Sequence, residues 1–66
     1  MYKELKKLRI DYGFTQEQMA KEAFKTSKTS YCKKERGKTK FTIDDIRNAK
    51  KFFNLSPDEV MKIFLI

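Results

Sequence analysis

Histidine is absent from this 66-residue chain, and cysteine occurs once, at Cys32. Without histidine there is neither a Cys/His zinc set nor a Cys–His nucleophilic pair, and one cysteine cannot close an intramolecular disulfide. Those absences predict no metal or other cofactor and a reducing, cytoplasmic setting; Cys32 is read as an inert thiol. No apolar run approaches the roughly 18 to 20 residues of a membrane span, and the opening MYKELKKLRIDYG is amphipathic and charged rather than signal-like. Neither a glycine-rich phosphate loop nor paired acids near a nucleophile is present, so no enzyme is expected. Repeats, low-complexity tracts, interdomain linkers and sustained period-two alternation are also missing. One domain over residues 1–66 follows, near the lower size limit for folding without disulfides or metal, with an economical core or one shared with a partner.

Positive charge, in contrast, is plentiful and concentrated. Of the net +7, residues Lys25 to Lys40 hold +6: seven cations, Lys25, Lys28, Lys33, Lys34, Arg36, Lys38 and Lys40, against the single anion Glu35. The other fifty residues are nearly balanced, at +1. A solubilising surface would spread its charge, whereas one strongly basic segment is the electrostatic footprint of a phosphate-binding face.

Start and stop signals predict five short helices. The first spans about residues 2–12, with Leu5, Leu8 and Tyr12 on one face, and Gly13 supplies a left-handed stop. Thr15 to Gln18 form a capping box that opens a second helix at about 16–24, with Met19, Ala20 and Ala23 or Phe24 inward. Ser27 caps a third over about 28–36, stopped by Gly37, with Tyr31, Glu35 and the stem of Lys34 inward. Thr42, followed by acids favourable to the helix dipole, opens a fourth over about 43–53 with an apolar stripe of Ile43, Ile46, Ala49 and Phe53. Ser56, Pro57 and Glu59 open a fifth, which takes Val60, Met61, Ile63 and Phe64.

The order LKKLRIDYGFTQEQMAKEA, SKTSYCKKERGKTKFT, IRNAKKFFNLSPDEV resembles the helix-turn-helix domain of phage repressors and Cro over residues 3 to about 60. Its carriers are the Gly-Phe-Thr-Gln entry, Ala20 at a close helix contact, the Ser-Lys-Thr-Ser start, the Glu-Arg-Gly stop and the Leu-Ser-Pro-Asp-Glu entry. The resemblance implies an all-α, lambda-repressor-like fold of five short helices whose third helix enters the DNA major groove. One departure stands between Ala20 and Ser27. The family's pattern there has a leucine-glycine pair, whereas this chain has Phe24, no glycine and one extra residue. That extra residue is expected to relieve the turn, with Phe24 ending the second helix and filling the leucine's space.

With Tyr31 and Glu35 inward, the outward residues of the third helix are Lys28, Thr29, Cys32, Lys33 and Arg36. Lys28, Thr29 and Lys33 are the candidate base readers. Lysine can donate to guanine O6 and N7, and threonine offers a hydroxyl and a methyl. The resemblance adds Gln16 as a phosphate clamp and an ion pair between Arg9 and Glu35. Lys38, Thr39 and Lys40 form a basic loop suited to phosphate, and Ser30 adds another phosphate contact.

The sequence therefore reads as a sequence-specific, double-stranded DNA-binding transcriptional regulator. The rival reading is a protein-interaction module, an antirepressor or antitoxin on the same fold, which an acidic or apolar third-helix face would favour. The run VMKIFLI, Val60 to Ile66, exceeds what a small core can bury. Met61, Leu65 and Ile66 form an apolar surplus that predicts a homodimer through the C-terminal helix and an inverted-repeat operator.

Overall fold

The computed structural model describes residues 2–65. Helix α1 covers Lys3–Asp11; α2 opens as α-helix over Gln16–Gln18 and continues as a π-helical turn over Met19–Ala23; α3 covers Lys28–Glu35, α4 Ile43–Phe53 and α5 Pro57–Phe64. No strand occurs among the described residues, so the protein is all-α with the five helices that the start and stop signals predict. None of these helices is long and apolar enough to cross a membrane.

Such short helices are marginal alone, and side chains at their ends help to set their boundaries. Thr15, Thr42 and Ser56 each close a full capping box: the hydroxyl accepts from the third helical N–H, and the side chain there accepts from the cap's own N–H. Ser27 accepts from the Ser30 N–H at 3.2 Å and starts α3. Each such cap contributes about 1 kcal/mol relative to alanine. Gly13 ends the first helical unit at φ +73°, in open space where a Cβ would meet nothing, so backbone conformation alone favours glycine there.

Leu5 of α1, Met19 and Ala20 of α2, Tyr31 of α3 and Ala49 of α4 are fully buried and define the centre of the core. Phe53, Leu55, Val60, Ile63 and Phe64 close it from the C-terminal side. Helix α5 packs on α1 and α4, while α2 packs on α3 and α4. Phe24 sits buried among aromatic rings, with centroids 5.3 Å from Tyr31, 5.5 Å from Phe41 and 6.5 Å from Phe64. It does end α2 and occupy core volume.

Three sequence expectations are corrected. Ile43 is not in the buried stripe; it is 70% exposed, while Ile46, Ala49 and Phe53 pack inward. At 100° per residue it lies about 90° round the helix from the middle of that stripe, and a first-turn side chain leans back past the helix end. Second, α2 is not a uniform α-helix. The Phe24 N–H donates to the Met19 carbonyl at 3.2 Å, an i to i−5 bond, and the Thr26 N–H reaches the Ala20 carbonyl at 2.9 Å. The extra residue is thus taken up inside the helix as a π turn, with one more residue per hydrogen-bonded ring.

Third, the turn is not relieved of left-handed backbone, because Lys25 stands at φ +55°. A side chain in that conformation costs about 1 kcal/mol relative to glycine. Lys25→Gly is therefore expected to raise stability by up to about 0.5 kcal/mol, the strain relieved less glycine's greater entropy in the unfolded chain. Urea unfolding reads the change, and a destabilised variant would contradict the strain assigned to this turn.

Candidate nucleic-acid interface

Helix α3 is fixed by its inner face. Glu35 is buried, and its carboxylate accepts from three side chains: Arg9 Nε at 3.0 Å, Gln16 Nε2 at 3.1 Å and the Tyr31 hydroxyl at 2.5 Å. The first comes from α1, the second from α2 and the third from α3 itself. Arg9 also donates through Nη1 to the Phe14 carbonyl at 3.0 Å, tying the turn before α2 to the same node.

Burial is the largest influence on the Glu35 carboxyl and pushes its pKa up. The hydrogen bonds from Tyr31, Arg9 and Gln16, with the charge of Arg9, outweigh it and hold the carboxyl below its ordinary value. The Tyr31 hydroxyl moves the opposite way, raised by burial first and then by its bond to the carboxylate. Glu35 is thus an anion at neutral pH and Tyr31 a neutral donor.

With that face held inward, Lys28, Thr29, Lys33 and Arg36 are exposed on the other side, and Ser30 and Cys32 are half-buried. The structure places Lys28 beside Gln16: a shallow groove between the starts of α2 and α3 is lined by Arg9, Thr15, Gln16, Glu17 and Lys28. Thr29 and Lys33 lie one turn apart along α3. At its far end Lys38, Thr39 and Lys40 are exposed, with the Lys38 and Thr39 N–H groups folded back onto the Lys33 carbonyl at 2.9 and 3.4 Å. That contact sets the basic loop against the end of α3.

Two assigned phosphate contacts are narrower than the sequence suggests. One amide proton of Gln16 is engaged by Glu35 and the Gln18 N–H by the Thr15 cap, which leaves the other Gln16 amide proton and the Gln16 and Glu17 backbone N–H groups for an anion. The Ser30 N–H is bound to the Ser27 cap, so only its hydroxyl remains for an anion.

One partnership escaped the sequence reading. Lys34 Nζ donates to Asp45 Oδ2 at 2.6 Å, and the same oxygen accepts from the Thr42 N–H at 2.9 Å. Burial pushes the Asp45 carboxyl up, but its bonds from Lys34 and Thr42 and the Lys34 charge hold it below its ordinary value. The only sequence signals were a first-turn acid at Asp45 and an inward stem at Lys34, and nothing joined them. The pair removes Lys34 from the basic face. Lys28, Lys33, Arg36, Lys38 and Lys40 remain on it and Lys25 follows the end of α2, all exposed and in no ion pair among the described residues.

Because the Glu35 pKa is depressed by folding, its contribution is fully present above the ordinary carboxylate value of 4.5 and is lost as pH falls through the folded value. Glu35→Gln is expected to cost about 2 kcal/mol at neutral pH, the scale of a hydrogen bond to a charged group. The gap from wild type should begin to narrow below about pH 4.5 and close once the pH lies below the depressed folded value, where both side chains are neutral. Asp45 and Glu59 are depressed as well, so the difference between the two unfolding curves isolates Glu35. A gap independent of pH would contradict the assigned charge state.

No family model, curated protein or solved structure matches this chain, so the resemblance to phage repressors rests on the residues quoted for it.

Proposed function

We propose that the protein is a sequence-specific double-stranded DNA-binding transcriptional regulator of the phage-repressor type, acting in the cytoplasm, with α3 in the major groove. One observation carries this reading. Within the basic segment the one anion, Glu35, is turned inward and paired with Arg9, while six cations are left exposed. Lys28, Thr29 and Lys33 read base edges from the outer face of α3. Gln16 and Ser30 at the helix starts, and Lys38, Thr39 and Lys40 in the loop, hold phosphates on either side. An antirepressor or antitoxin would present an acidic or apolar α3, and this one is neither.

Selection of bound sequences from random duplex DNA identifies the operator. Binding is expected to weaken steeply with salt, with a logarithmic slope near −0.9 per phosphate neutralised. Lys38→Ala with Lys40→Ala should reduce that slope by up to about 2 on all sequences, whereas Lys28→Ala or Lys33→Ala should shift preference at particular positions by about 1 to 3 kcal/mol. No duplex binding at low salt would end the reading. Equal losses on specific and random DNA would reassign both lysines to the backbone.

The assembly proposed with it is a two-fold dimer through α5. Met61 is 52% exposed and Leu65 is 68% exposed, leaving apolar surface beside the buried Val60, Ile63 and Phe64; Ile66 lies outside the described residues. The longest extent of one copy is 27 Å, shorter than the roughly 34 Å between major-groove faces one turn apart. Two copies would therefore occupy adjacent turns of an inverted repeat. Met61→Lys should abolish self-association in sedimentation and cooperative binding to two half-sites, with half-site binding retained. A wild-type protein that stays monomeric at high concentration, with and without operator DNA, would rule the dimer out.

A further inference from the structure

A second groove, sharing no residue with the one beside Lys28, lies where the end of α2 meets the far half of α4. Glu22, Ala23, Lys25, Asn48, Lys51 and Phe52 line it. Two features converge there, the local backbone at the end of α2 and the side chains that line the groove. The π turn Met19–Ala23 runs into it, and single π turns within helices are rare and concentrate at functional sites. Lys25, at its edge, is held at φ +55°, a conformation that a side chain retains only when its surroundings impose it. Lys25 and Lys51 are both exposed and in no ion pair among the described residues, and Phe52 in the same lining keeps 43% of its surface open.

We propose that this groove is a docking surface for an acidic protein segment that carries one apolar anchor side chain. The two ammonium groups match carboxylates, the Asn48 amide can bond a peptide group, and Phe52 with Ala23 offers an apolar floor. A nucleic-acid backbone would leave that floor unused, and Glu22, one anion against two cations, still leaves the lining net positive for an acidic segment. A small organic anion would stay largely in water here, because the groove is open rather than enclosing. Lys51 lies eight residues into α4, about 12 Å along the helix from the end that follows the Lys38–Lys40 loop. The segment therefore docks without covering that loop, and the groove stands as a site whether or not α3 reads DNA.

The test is an NMR titration of the isotope-labelled full chain with a short synthetic peptide of aspartates and glutamates around one tryptophan. Saturable amide shifts are expected at Ala23–Lys25 and Asn48–Phe52, suppressed by salt and by replacing the peptide's tryptophan with serine. Lys51→Glu, a surface change that leaves the fold intact, should weaken binding about tenfold, as like charge at an interface does. Phe52→Ala should weaken it without altering the response to duplex DNA. The proposal is overturned by no shift at these amides, by shifts at Lys28–Lys40 instead, or by unchanged affinity in Lys51→Glu. It is overturned equally if duplex DNA alone perturbs the groove, or if the same shifts appear with protein concentration and no peptide, which would assign the groove to a second copy.

Discussion

Everything that α3 presents outward depends on one carboxylate facing inward. Glu35 is charged, buried and coordinated from three helices, and none of its donors is interchangeable with the others. Arg9 supplies the compensating charge and, through the Phe14 carbonyl, positions the entry to α2. Gln16 fixes the first turn of α2 against the last turn of α3. The fully buried Tyr31 ring supports the hydroxyl that completes the set. A buried ion pair is weak evidence for net stability, since desolvation offsets much of the attraction. Its better attested effect is geometric: a buried anion with three donors accepts one rotation of α3 about its axis, and that rotation decides which side chains face solvent.

The opposite end of α2 solves a different problem. Six residues separate Ala20 from Ser27, and the chain accommodates them by widening the helix into a π turn and then reversing at a left-handed lysine. Both choices cost free energy locally. What offsets them is the seating of Phe24, which contacts rings from α3, the α3–α4 loop and α5 in one cluster. Aromatic pairs of this kind contribute about 0.5 to 1.5 kcal/mol each beyond the area they bury, enough to exceed a single left-handed residue.

Helix positions were legible in the sequence because their signals are local. A threonine or serine three residues before a Gln, Asp or Glu closes its box wherever the rest of the chain lies, and all three such boxes form. The core was largely legible for the same reason, through helical spacing of Leu5, Met19, Tyr31, Ala49 and Phe53. Ile43 failed because spacing takes no account of a helix end, where the neighbouring surface stops. The π turn was illegible because hydrogen-bond register inside α2 is decided by where Phe24 finds its ring partners, and those come from distant parts of the chain. The Lys34–Asp45 pair was half visible twice, once as an inward stem and once as a first-turn acid. Joining them needs the relative placement of α3 and α4, which no local signal encodes.

The composition of the exposed face has a further consequence under the proposed function. Four of the five unpaired cations between Lys28 and Lys40 are lysines, and arginine contributes only Arg36. A lysine ammonium is a strongly hydrated point charge on a flexible stem, so it neutralises phosphate well but selects among base edges less sharply than a planar guanidinium fork. Affinity built this way comes mainly from counterion release, which is nearly blind to sequence. Selectivity must then come from the rigid placement of α3 by Glu35, from the few base contacts at its start, and from multiplication of a modest preference over two half-sites. Apolar side chains left exposed on α5 would in that case be part of how the protein discriminates, since a monomer with this face would bind many sequences almost equally.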